Sequence, residues 1–143
     1  MPVTGTLNEK GRTMAVTALD QTEIVRTVQL YVDGMRDGDG SKLKQAFHPE
    51  ARMFGSLGGH RLDVPIAALI EMVDGHPVDV NGSYQARVVS VDQVGDAATA
   101  VLEENGCWGT VSFTDFFSLA HLDGAWTIVN KTFAHTGGEP PPI

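Results

Sequence analysis

Apolar side chains at Ile24, Val28, Tyr31 and Met35 recur at the spacing of one helical face, and Asp20 with Glu23 three residues on has the form of an N-cap with its reciprocal acid. The spacing predicts a first helix over residues 20–37, ended by Gly38-Asp39-Gly40. A short second helix over residues 41–47 has to stop before His48-Pro49, because the residue before a proline is pushed out of helical dihedrals. Residues 51–54 and 60–62, flanking the glycine-rich stretch 55–59, form an expected hairpin. Asp63 is placed to cap a third helix, with Pro65 in its first turn and Ile66, Leu69, Ile70 and Val73 on one face.

From Tyr84 the period changes from helical to alternating. Strands are predicted over residues 84–94, 97–104, 108–121 and 125–135, separated by the turn signals Gly95-Asp96, Asn105-Gly106 and Asp123-Gly124, which favour antiparallel neighbours. Helices first and a meander of long strands second is an α+β layout, with helices packed on one face of a bent sheet. Residues 1–19 are polar, small and aperiodic and predict a flexible arm, while residues 136–143, rich in glycine and proline, predict a flexible tail. A single domain over residues 20–135 lies between them, which suits a chain of 143 residues.

Charge removes several classes of partner. With 18 acidic against 10 basic residues the net charge is -8, which repels phosphate backbones and anionic lipid, so neither nucleic acid nor membrane is expected as a partner. The first residues lack the basic region and apolar run of a secretory signal, and the expected location is the cytoplasm. One cysteine, Cys107, cannot close a disulfide within the chain, and no Cys/His spacing predicts a metal site.

The strongest chemical signal is in the third long strand. Val111, Phe113, Phe117 and Leu119 alternate on one face, and Asp115 sits among them, so a carboxyl group is aimed into the oily side of a sheet. Such a group is costly unless it is paired, hydrogen-bonded or kept protonated. Two uses stand side by side: a structural carboxylate bonded to Lys131 on the neighbouring strand, which would lower its pKa, or a donor facing Tyr31 in a dry pocket, which would leave it raised. Asn130 follows Trp126 and Ile128 at alternate positions, so its amide is expected inside as well. Phe54, Phe113, Phe117 and Trp126 are the expected apolar lining, and His48 and His60 the available bases, with His135 a weaker third. Arg87 is expected in a surface or dimer salt bridge, and Cys107 as an inert small residue.

The order of elements, together with Tyr31-Val32-Asp33-Gly34, Phe47-His48-Pro49-Glu50-Ala51, Phe113-Thr114-Asp115-Phe116-Phe117 and Trp126-Thr127-Ile128-Val129-Asn130-Lys131, resembles the nuclear transport factor 2-like superfamily, and more narrowly its bacterial branch labelled putative lumazine-binding. The resemblance covers about residues 20–133. It implies a cone-shaped, cystatin-like α+β fold with three N-terminal helices on a strongly curved antiparallel sheet, a pocket between the first helix and the sheet, and a homodimer. The superfamily houses isomerases, dehydratases, hydrolases and pure binding modules, so the fold by itself implies no activity. Ketosteroid isomerases, similar in layout, pair a helix tyrosine with a protonated strand aspartate as donors to an oxyanion. Tyr31 and Asp115 fall at those places, whereas the position of their base falls near Gly55, which has no side chain.

The expected function is therefore binding of a small, largely apolar molecule with one carbonyl or hydroxyl. Its catalytic form is a cofactor-free isomerase or dehydratase working by proton transfer next to a carbonyl, through Asp115, Tyr31, His48 and His60, with no metal. The alternative is a non-catalytic ligand-binding or dimerisation module with a lumazine- or pterin-like ligand.

Overall fold

Helix α1 (Ala18–Asp37) buries Ile24, Val28, Tyr31 and Met35, the face that the spacing predicts, and each such side chain contributes about 1.5–3 kcal/mol on leaving water. In the computed structural model, which describes residues 18–140, α1 is followed by α2 (Gly40–Ala46), β1 (Phe47–Leu57), β2 (His60–Pro65), α3 (Ile66–Val73), β3 (Gln85–Val94), β4 (Ala97–Cys107), β5 (Val111–Leu122) and β6 (Ala125–Gly137). The fold is the expected α+β arrangement, with helices packed on one face of a sheet. No helix among the described residues is long and apolar enough to cross a membrane.

The six strands form one sheet in the order β2-β1-β6-β5-β4-β3. Neighbours are antiparallel except β1 and β6, which run parallel, so the sheet is mixed where the strand signals predict only antiparallel pairs. The parallel pair arises because the chain returns through α3 and the whole meander before β6 closes on β1. Register shifts interrupt β1, β3, β4 and the β5–β6 pair, and an extra residue of this kind bends a strand.

Several local expectations are corrected. Asp63 does not cap α3: it lies in β2, bridged to Arg52 at 2.9 Å and Arg61 at 3.0 Å, and those guanidinium groups hold its carboxyl below the usual carboxylate range. Pro65 occupies the cap position instead, with no side-chain hydrogen bond. Asp20 lies in the first turn of α1 and accepts from Gln93. The stretch 55–59 is not a loop, since β1 continues to Leu57 and only Gly58-Gly59 turn. Asn105-Gly106 is not the β4–β5 turn either. It forms an irregularity inside β4, and the chain turns at Trp108-Gly109-Thr110. Of the arm over residues 1–19, residues 1–17 lie outside the described residues and Ala18 and Leu19 belong to α1. In the tail, Thr136 and Gly137 belong to β6, where Gly137 pairs with Ser112, and residues 141–143 lie outside the described residues.

Candidate functional site

On the helix-covered face, three adjacent strands each place one ionisable side chain on a diagonal. Leu102 of β4 faces Asp115 of β5, so Glu104 lies one inward step along from it; Asp115 in turn faces Phe133 of β6, with Lys131 one inward step away. Glu104, Asp115 and Lys131 are 1, 0 and 5 % exposed, which makes this a buried charged cluster in an otherwise apolar core. The Tyr31 hydroxyl donates to one oxygen of Glu104 at 3.1 Å and the Tyr84 hydroxyl to the other at 2.5 Å. Among the described residues no donor meets either oxygen of Asp115 with good hydrogen-bond geometry, although Glu104 and Tyr31 lie close enough to act on it, and Lys131 Nζ approaches Oδ1 at 3.9 Å. The amine of Lys131 also lies over the rings of Tyr31 and Phe133, at 5.2 and 5.4 Å from their centroids.

Burial, and after it the negative charge of Glu104, push Asp115 well above the ordinary carboxylate range, and Lys131 offsets only part of this. Burial likewise raises both phenols, Tyr31 with the charges of Asp115 and Glu104 added and Tyr84 with that of Glu104. It also keeps the Cys107 thiol protonated, in keeping with an inert residue. The Asp115 shift fixes a sign for stability. The folded state holds this proton at pH values where the unfolded state has released it, so stability falls as pH rises from the ordinary aspartate range, about 4, through the raised folded value. Asp115→Asn removes that loss, and the variant is expected to match or exceed the parent by up to about 2 kcal/mol near neutrality, with a flatter dependence in thermal melts between about pH 5 and 8. A variant penalised more at the upper end of that range would show that the Lys131 attraction outweighs burial.

Glu104 and Lys131 form the polar part of a pocket whose remaining wall is apolar, with Met35, Met53, Leu69, Met72, Phe113 and Phe133 among its lining. The space between atoms there totals about 400 Å³, of which about 40 Å³ admits the centre of a water molecule. Met72, 53 % exposed, stands at its rim. Tyr31 and Asp115 stand behind the wall, Tyr31 packed edge-on against Phe47 and Phe117. Among the described residues, no three His, Cys, Asp or Glu side chains converge as a metal site would require.

The other residues singled out from the sequence are dispersed. Phe113 lines the pocket, but Phe117 is core packing, and Trp126 sits at the opposite end of β6 beside His121. Phe54 points to the outer face with Arg52 over its ring. His48 is half-buried and its Nδ1 accepts from the Glu50 backbone, in a separate groove that Lys44 and Asp74 also line. His60 is exposed in the first position of β2, and His135 ties down the Gly58 turn. Arg87 pairs with Glu103 at the surface. Asn130 does not face the interior. Leu119 pairs with Ile128 and Ser118 with Asn130, so Val129 is an extra residue that reverses the alternation: Trp126 and Ile128 point in before it, Lys131 and Phe133 after it. Gly55 is fixed by packing, since a β-carbon there would stand 2.5 Å from the Phe133 ring.

Comparisons with known proteins agree with this fold. A nuclear transport factor 2-like protein of unknown function from Methylobacillus flagellatus KT is 32% identical, with a TM-score of 0.77 over 85% of this chain and 95% of that one. A second, from Shewanella baltica OS155, is 28% identical with a TM-score of 0.74 over 87% and 99%. An aldolase named FrzH from Cladobotryum sp is 25% identical over 118 residues, 82% of this chain and 93% of that protein. The family described as "Putative lumazine-binding" matches residues 19–134. The chain thus belongs to the putative lumazine-binding family of the nuclear transport factor 2-like superfamily.

Proposed function

We propose that this protein binds a small, uncharged carbonyl compound and moves a proton at the carbon beside the carbonyl, using its own side chains. The observation that carries this reading is the Glu104 and Lys131 pair on the wall of an apolar pocket, with Asp115 behind it and unsatisfied. Two phenols donate to Glu104, so its carboxylate is fixed in orientation, and a proton taken from a ligand has Glu104 to receive it. Lys131 supplies the positive group toward which the carbonyl oxygen turns. Isomerisation, dehydration and aldol reactions all begin with this proton removal, and the resemblance to a protein named an aldolase supports the same event here. A homodimer is supported by Phe116, which stays exposed on the outer face of the sheet.

A non-catalytic module for a pterin-like ligand is the second reading, and the family description favours it. Against it stands size: about 40 Å³ open to water centres is far below a drug-sized pocket, so a bicyclic ring would have to displace Met35, Met53 and Met72. A molecule of a few carbons asks less of these flexible side chains.

Proton NMR of butanone or propanal in deuterated buffer tests the proposal. The protein is expected to speed exchange of the protons beside the carbonyl, and Glu104→Gln to lower that rate by roughly 10²–10⁴-fold. Exchange no faster than in buffer, for either probe, would sink the catalytic reading.

A further inference from the structure

We infer that Lys131 is a covalent nucleophile, one that condenses with a small aldehyde or ketone to form an iminium. This rests on the proton-transfer reading above and names how the carbonyl is held. Lys131 lines the pocket, 5 % exposed, and its amine lies over the rings of Tyr31 and Phe133. Its nearest carboxylate oxygen is 3.9 Å away, too far for a hydrogen bond. An amine kept only for an ion pair would be expected in closer contact, because burying a charge without good hydrogen-bond geometry is costly. Here the geometry is loose and the residue borders the cavity.

The neighbours supply what condensation needs. One ammonium proton passes to the Glu104–Asp115 pair, and the freed lone pair attacks the carbonyl carbon, forming a carbon–nitrogen bond as the carbonyl electrons move to oxygen. That oxygen collects two protons by way of the same carboxyl groups and leaves as water, and the nitrogen lone pair closes the iminium. Of the three ammonium protons, two depart with the water and one stays on nitrogen, so charge and atoms balance. The cationic carbon–nitrogen double bond then acidifies the adjacent C–H, whose proton Glu104 is placed on the wall to accept. A carboxylate or phosphate on the substrate would meet the negative charge of Glu104, which restricts the class to uncharged carbonyl compounds.

The test uses the full chain, propanal and sodium cyanoborohydride near neutral pH, with the alkylated lysine located by peptide mass spectrometry. The chain has four lysines, and Lys44 is exposed. Alkylation at Lys131 is expected to run roughly 10²-fold ahead of Lys44, the advantage of an amine with proton relays beside it. Lys131→Arg, which keeps the charge but cannot form the iminium, should lose both the adduct and the proton exchange while retaining its circular dichroism spectrum. Lys131→Met serves the same purpose if arginine does not fit. Alkylation of Lys44 with Lys131 untouched would overturn the inference. If proton exchange persists in that case, the proton-transfer reading survives without a covalent lysine; if exchange is absent too, both fall.

Discussion

Replacing Glu104 with leucine is expected to cost the fold about 3–5 kcal/mol, the range seen when one partner of a buried charged cluster is removed. The carboxylate accepts from Tyr31 and Tyr84, which are 0 and 7 % exposed, and leucine would leave both hydroxyls without a partner and Lys131 with less negative charge nearby. Each stranded buried hydroxyl accounts for about 1–3 kcal/mol of this. Urea unfolding of the variant measures the loss. Adding Tyr31→Phe and Tyr84→Phe to Glu104→Leu should then recover part of it, since an apolar group beside an apolar group leaves nothing unsatisfied. A loss below about 1 kcal/mol would mean that the phenols turn to Asp115 instead, and that the network tolerates re-pairing.

Gly106→Ala is expected to be nearly as damaging, at about 2–5 kcal/mol, for a reason of backbone rather than charge. Gly106 has a φ of 70°, and a β-carbon there would run into the carbonyl of Ser83, whose hydroxyl donates to the Gly106 carbonyl at 2.8 Å. The strand cannot move away freely, because Glu104 and Cys107 on either side are both buried against the pocket. Gly82→Ala is the matched control. Its φ is 82° but nothing lies within 4 Å of the added carbon, so the strain of about 1–2 kcal/mol is all it should show in the same urea titration. Equal losses in the two variants would remove the argument from the Ser83 contact.

The helices and strands were legible because burial and period coincide in them. All four apolar positions assigned to α1, and the four assigned to α3, are buried, and Asp115 stands among its four apolar neighbours on the inner face. Glu104 carries the same signal as Asp115, since Ala98, Ala100 and Leu102 precede it at alternate positions and place its carboxyl on the inner face. Alternation alone could not find Lys131 on the pocket wall. Its inward direction depends on a one-residue offset between β5 and β6, which belongs to the pairing of two strands and leaves no mark in either sequence. The same hidden offset sent Asn130 outward. Asn105-Gly106 differs, since the glycine is demanded by a positive φ, as a turn would demand it, but inside the last residues of a strand that continues to Cys107.

The extra residue at Val129 has a consequence for how such a protein could diverge. Strand parity is a counting property, so a single-codon deletion of Val129 would remove the bulge and leave Asn130 outward opposite Ser118 and Lys131 inward opposite Phe117. The amine thus survives loss of that residue, whereas pairing Val129 regularly against β5 would turn Lys131 outward and bring a neutral amide where the amine had been. Among homologues of this chain, the length of β6 alone would then not tell which side chain enters the pocket, whereas its offset against β5 would.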